Sequence, residues 1–164
     1  VCMHFKEVDI WSIYFPSGTS GSHRQELKDQ FLTFMSQKMS NWINKGRKVL
    51  VCGDVNIAHT RLDIFHDKSN AKNSGFLPHE RQWMSDQISS GWVDIYRKHH
   101  PDAETYSWWS NRSKTARPNN IGWRIDYQLS TPSLALLSSK SWVDGPQPKI
   151  SDHAPVIAEF DLKV

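Results

Sequence analysis

Hydrophobic and polar positions alternate in blocks along this chain, and the blocks have two periods. Apolar and aromatic residues crowd Val8 to Tyr14, a run of strand length that stops at the turn residues Pro16-Ser17-Gly18 and so carries Tyr14 to a sheet rim. Ser22, with Gln25 three residues on, has the pattern of a capping box. Leu27, Phe31, Phe34, Met35, Met39, Trp42 and Ile43 then recur at helical spacing up to Gly46, which predicts an amphipathic helix of about six turns. Lys48 to Cys52 is too short for a helix and is bounded by Gly46 and Gly53, so it reads as a buried strand with Asp54 and Asn56 just past its carboxyl end. A polar loop covers His59 to Leu77, and Pro78 opens a helix bearing Trp83, Met84 and Ile88 that Gly91 closes. Further strand candidates are Trp92 to Tyr96, Thr105 to Ser110, Trp123 to Ser130 and the alternating Pro155 to Leu162. Strands and helices mixed in this way predict an α/β sandwich, and no internal repeat is present.

Composition narrows this picture only slightly. A chain of 164 residues has the length of one domain, taken here as residues 1–164, with 38% hydrophobic and 23% charged residues and no low-complexity tract. Lys and Arg number 20 against 17 Asp and Glu, and the pI near 8.9 mildly favours a polyanionic partner. Eight Trp is a high count for either a core or a base-stacking surface. Cys2 and Cys52 are too few for a disulfide framework or a zinc knuckle, and Cys52 reads as a reduced core residue. No stretch approaches the roughly 18 apolar residues of a membrane span, and no signal peptide is apparent, so a cytoplasmic location is expected. The opening Val1-Cys2-Met3 runs almost directly into a strand pattern and reads as part of something longer.

Three polar clusters stand at strand ends: Gly53-Asp54-Val55-Asn56, Trp123-Arg124-Ile125-Asp126-Tyr127 and Ser151-Asp152-His153. Each alone has a plain alternative, since an Asp beside a glycine serves turns and a lone His serves packing or solvation. Together they supply carboxylates and amides for a hard cation, a base for water and a donor for a phosphoryl oxygen, the requirements of phosphodiester hydrolysis. A His held in one tautomer by a carboxylate also suits the set.

These clusters occur in order with Tyr14-Phe15-Pro16-Ser17-Gly18, Gly53 to His59, Lys72-Asn73-Ser74-Gly75-Phe76, Gly91-Trp92-Val93-Asp94, Tyr106 to Arg112, Gly122 to Tyr127 and Ser151 to Pro155. Over essentially its whole length the chain resembles the exonuclease III family of AP endonucleases, within the endonuclease/exonuclease/phosphatase superfamily. The Trp108-Trp109-Ser110-Asn111-Arg112 and Gly122 to Tyr127 strings resemble its bacterial DNA-repair members. The resemblance implies a four-layer α/β sandwich of two sheets flanked by helices. It further implies hydrolysis of DNA phosphodiesters 5′ to abasic sites, or 3′ to 5′ trimming, with Mg²⁺ or Mn²⁺ on double-stranded DNA that has abasic sites or 3′ ends. By the same resemblance Asp54 orients the attacking water or acts as base, Asn56 holds water and phosphate, and His153 contacts the phosphoryl oxygen. Asp126 orients His153, Tyr14 hydrogen-bonds the scissile phosphate, and Asp152 joins Asp54, Asn56 and His153 at the metal. Trp108, Trp123 and Ile125 would receive the flipped abasic sugar, while Ser17, Lys72, Asn73 and Arg112 would contact DNA. Ordinary core packing and solvation compete with these last roles.

In the resembling family roughly 90 to 100 residues precede the strand that holds Tyr14, a domain-scale segment that bears an Asn of the active site and the Glu that is the principal metal ligand. Glu7 does not replace that Glu and reads as a solvated edge residue. The expectation is a chain incomplete at its N-terminus, inactive alone, with apolar sheet surface bare and prone to associate, and monomeric when complete. Two other readings stay open: a phosphoesterase of the same superfamily acting on another substrate such as a phosphoinositide or sphingomyelin, and a DNA-binding or assembly piece without catalysis.

Overall fold

The computed structural model describes residues 1–144 and 150–162. Five strands form the main sheet: β1 (Cys2–His4), β2 (Asp9–Ser12), β3 (Val49–Asp54), β4 (Val93–Asp94) and β5 (Asp126–Ser130), in the order β1-β2-β3-β5-β4. Only β2 and β3 run parallel, because the helix α1 (Ser22–Asn44) carries the chain back across the sheet between them. The other pairs are antiparallel.

Val49 and Val51 of β3 and Tyr127 and Leu129 of β5 point to one face, as a period of two requires. Leu32, Met35, Met39 and Trp42 of α1 cover that face, together with Trp83 and Met84 of α3 (Pro78–Ser89). Met35, Met39 and Trp42 of the predicted stripe are buried and Phe31 and Ile43 flank them, but Leu27 and Phe34 are exposed and Leu32 takes the core position instead. The helix is anchored to α3 where Trp83 Nε1 donates to Leu32 O (2.9 Å) and Ser36 Oγ (2.7 Å). On the opposite face β7 (Val156–Phe160) lies against β5, tied by Gln128 Nε2 to Val156 O (2.7 Å), and pairs with β6 (Ser138–Val143) in a second, two-stranded sheet. Helices, sheet and second sheet thus make the layered α/β sandwich.

Elsewhere tertiary partners displace the local pattern. Ser22 and Gln25 form no capping box: the N-cap is Gly21, without a side-chain cap, and Gln25 Nε2 donates instead to Asp29 Oδ1 (2.9 Å) and Glu80 Oε1 (3.1 Å). Trp92 to Tyr96 splits into the two-residue β4 and a short helix α4 (Ile95–His99), because Asp94 Oδ1 accepts from Arg97 N (3.2 Å) and caps that helix. Thr105 to Ser110 is not a strand. Ser107 N and Trp108 N both donate to Trp123 O (2.9 Å each), and Trp108 makes only single bridges, to Trp123 and to His153. The strand expected from Trp123 begins only at Asp126, since Arg124 N turns to Asp63 O (2.8 Å). Two more short helices, α2 (Asp67–Asn70) and α5 (Pro132–Ala135), and one 3₁₀ turn, Arg61–Asp63, complete the described elements.

Cys52 is half-buried and free, as is Cys2. Glu7 meets only Lys48 (3.2 Å) at the surface. Among the described residues Val1, Met3, Phe5, Tyr14 and Phe34 are large apolar side chains left exposed beside β1, β2 and α1. Among the described residues no helix is long and apolar enough to cross a membrane.

Candidate active site

The carboxyl end of β3 shapes the first half of the site. Gly53 has φ +133, and a Cβ there would lie 2.2 Å from Ile13 O, so only glycine lets the chain beyond β2 run alongside. That close approach is fixed by Ile13 N to Cys52 O (2.9 Å) and Phe15 N to Asp54 O (2.8 Å). Asn56 then turns through the left-handed region at φ +55, which Asn tolerates best after glycine. Its backbone N donates to Asp54 Oδ1 (2.8 Å), and its Nδ2 donates to Phe15 O (2.9 Å) and Asp54 Oδ2 (3.0 Å). With the amide nitrogen so committed, Asn56 Oδ1 is left for a ligand.

Sheet register supplies the second half. Asp126, the first residue of β5, stands opposite Asp54, the last of β3. Asp126 Oδ2 binds His153 Nδ1 (2.9 Å) and accepts from Ser107 Oγ (2.6 Å), while Ser107 Oγ accepts from the backbone N of Ile125 and Asp126 (3.2 Å each). With Nδ1 engaged, His153 presents Nε2. Partial burial, reinforced by the negative charge of Asp126, pushes the Asp54 carboxyl up to about 6. The hydrogen bond to Asp126 raises the His153 pKa against an opposing effect of burial. Replacing Asp126 by Asn is therefore expected to lower both pKa values at once, Asp54 toward its ordinary 3.8 and His153 toward or below 6.5. Carbon-detected carboxyl and imidazole NMR titrations measure this, and an Asp54 midpoint that stays near 6 contradicts it.

Both halves open into one cavity of about 630 Å³. Tyr14, Ser17, Asp54, Asn56, Lys72, Asn73, Trp108, Trp123, Ile125 and His153 all line it, as the motif strings lead one to expect. Trp108 and Trp123 meet edge to face, with centroids 6.2 Å apart at 87°, and pack on Ile64, Phe76 and Ile125. Their backbones form a ladder of single bridges, Ile64 to Trp123 to Trp108 to His153, that carries the histidine on the same wall as the indoles. Five of the eight tryptophans divide thus: Trp42, Trp83 and Trp92 fill the core, and Trp108 and Trp123 face the cavity.

Three expected residues do not line the cavity. Asp126 sits behind His153 with Oδ2 on Nδ1, where a residue expected to orient the imidazole belongs. Arg112 is exposed and does not line the cavity. Asp152 Oδ2 accepts from Trp108 Nε1 (3.0 Å), which orients the indole. Of the residues expected at a metal, Asp54, Asn56 and His153 line the cavity, whereas Asp152 does not; no group of three or more His, Cys, Asp or Glu that could hold a metal ion occurs among the described residues. Sequence reasoning missed Ser107, although it lies inside the Tyr106-Ser107-Trp108 string, as well as Ser74 and Gly75 on the cavity wall.

A mixed sheet gathers its polar residues at strand ends around one cavity, and the chain belongs to the Endonuclease/Exonuclease/phosphatase family, whose model matches residues 5–153. It is 32% identical over 164 residues to an exodeoxyribonuclease of Streptococcus pneumoniae, a match covering 99% of this chain and 58% of that protein. The structure is similar to that of an AP endonuclease from Archaeoglobus fulgidus (TM-score 0.86, 28% identity, 94% of this chain and 62% of that one). It is equally similar to a 3′ phosphatase from Neisseria solved bound to product DNA hairpin (TM-score 0.86, 26% identity, 98% and 64%). The chain therefore spans about three-fifths of the length of the exodeoxyribonucleases it matches.

Proposed function

We propose that the cavity takes a DNA phosphodiester beside an abasic site and that the protein to which these residues belong hydrolyses it. The observation that carries this reading is the convergence of Asp54 with Asn56 and of His153 with Asp126 on one cavity whose remaining wall is the Trp108–Trp123 pair. Asp54, raised to about 6, is poised near neutrality to accept a proton from water, and Asn56 Oδ1 can hold that water in place. His153, whose imidazolium form is favoured by the hydrogen bond of Nδ1 to Asp126, then has Nε2–H to offer the phosphoryl oxygen as negative charge grows there. Tyr14, Ser17, Lys72 and Asn73 offer hydroxyl, amide and ammonium donors to the flanking backbone. The apolar faces of Trp108, Trp123 and Ile125 suit a sugar that carries no base. Incision 5′ to the abasic site or trimming from a 3′ end both use this arrangement, and the names of the similar exodeoxyribonuclease, AP endonuclease and 3′ phosphatase support that pairing.

The family is one of divalent-metal-dependent nucleases. Mg²⁺ or Mn²⁺ would be the cation, but the side chains here do not by themselves assemble a site for it. For the 164-residue polypeptide alone the reading is therefore recognition with little or no turnover. A duplex carrying one tetrahydrofuran abasic analogue, and the same duplex undamaged, test both parts by gel shift in EDTA and by product analysis with each metal. Preferential binding of the abasic duplex with little product is expected. Equal binding of the two duplexes sinks the functional reading, and efficient cleavage by the polypeptide sinks the statement about turnover.

A further inference from the structure

Asn56 is held from behind as well as within its own turn. Lys28 of α1 is fully buried, and its Nζ donates to Asn56 O (2.8 Å) and to Glu80 Oε1 of α3 (2.7 Å). A buried ammonium is costly unless paired, and apolar side chains of the same volume usually serve a core as well or better. What this ion pair touches gives it a purpose. Glu80 Oε2 accepts from Gly75 N (2.7 Å) and Leu77 N (3.0 Å), and its Oε1 also receives Ser74 Oγ (3.3 Å). One interhelical pair thus reaches both the Asp54–Asn56 turn and the Ser74–Gly75 loop, two walls of the same cavity. These walls touch: Ala58 N donates to Gly75 O (2.8 Å), and Gly75 lies so close to Asn56 O and Trp123 that a Cβ would fall 3.2 Å and 2.9 Å from them.

We propose that Lys28 is a positioning residue for the phosphate site: fixed by Glu80, its ammonium clamps the Asn56 carbonyl and so aims the Asn56 amide and the Asp54 carboxylate into the cavity. The inference rests on the reading that this cavity takes a phosphodiester. It also explains why a left-handed, non-glycine residue is stable there, since the carbonyl of Asn56 is pinned by a charged donor.

The double variant Lys28→Met with Glu80→Gln tests this. It keeps the slot filled, the new amide oxygen on α3 can still accept from Gly75 and Leu77, and a thermal melting curve reports whether the variant folds. The readouts are the side-chain amide NMR signals of Asn56 and the preference for the tetrahydrofuran duplex over the undamaged one. Expected are displaced or doubled Asn56 signals and a preference reduced by about tenfold, as for the loss of a charge-assisted hydrogen bond. Unchanged Asn56 signals overturn the proposal, and so do displaced signals with unchanged preference. If the parent polypeptide itself shows no preference, the functional reading has failed, and the Asn56 signals alone decide whether Lys28 orders the turn. Should the double variant fail to fold, Lys28→Arg, which keeps the charge and moves the donors, is read in the same two ways.

Discussion

Replacing Arg124 by Met is expected to destabilise the protein by about 3–5 kcal/mol in urea unfolding at neutral pH. The side chain is fully buried, with Nε on Asp63 Oδ1 and Nη2 on Asp94 Oδ2, each at 2.7 Å. Its guanidinium stacks on the Tyr127 ring 4.4 Å away. Methionine fills much of the space but strands two carboxylates in the interior. Asp63 keeps Arg97 (2.5 Å), whereas Asp94 keeps only a backbone N–H, that of Arg97. Burial raises the Asp63 pKa, yet the charge and hydrogen bond of Arg124, with help from Arg97, hold it below the ordinary carboxylate value, so the network stabilises at neutral pH and fails as acid protonates it. Adding Asp63→Asn and Asp94→Asn to the Met variant should recover much of the loss, because the uncompensated charges are then gone. A loss below about 1 kcal/mol in the single variant would mean that water reaches the carboxylates, contrary to this expectation.

The second large effect is on chemistry. In a polypeptide that contains this chain and turns over an abasic duplex, Asp54→Asn is expected to lower kcat by about 10²–10⁴, the range for loss of a positioned proton acceptor. KM should change less, because His153 and the indole wall stay in place, while Asn56 loses one of the two acceptors that Asp54 gives it. Stability should move the other way with pH. The folded-state pKa of Asp54 is raised to about 6 from an ordinary 3.8, so the native state binds more protons than the unfolded chain between those values. Native stability therefore falls as pH rises through that window. The variant lacks this fall, and its melting temperature relative to the parent should climb from about pH 4 to about pH 8. A difference that is flat with pH would place the Asp54 carboxyl at its ordinary value and remove the case for it as the base.

How much of this was legible in the sequence follows from which interactions are local. The helical stripe of α1, the buried strand β3 and the helix opened by Pro78 declare themselves, because each writes its burial into a period or a stop residue. The cavity residues were found through short strings in which a glycine, an Asn or a Pro marks a special backbone, as at Gly53 and Asn56. What stayed hidden is long-range. Nothing near Ser22 shows that Gln25 answers to Glu80 of another helix, and nothing near Thr105 shows that Ser107 will tie Asp126 rather than extend a strand. Lys28 reads as a solvated charge until Glu80 and Asn56 appear beside it. The resemblance placed Asp152 at a cation, and the indole N–H that its Oδ2 accepts is a partner that sequence distance conceals.

Gly75 sets a limit on what the cavity can become. Its backbone lies against the Trp123 ring on one side and against Asn56 on the other, so the smallest side chain added there presses on both. Enlarging the cavity on this side would disturb the asparagine turn. Trp108 is held by other means, single bridges to Trp123 and His153, the carboxylate of Asp152 and packing on Trp123.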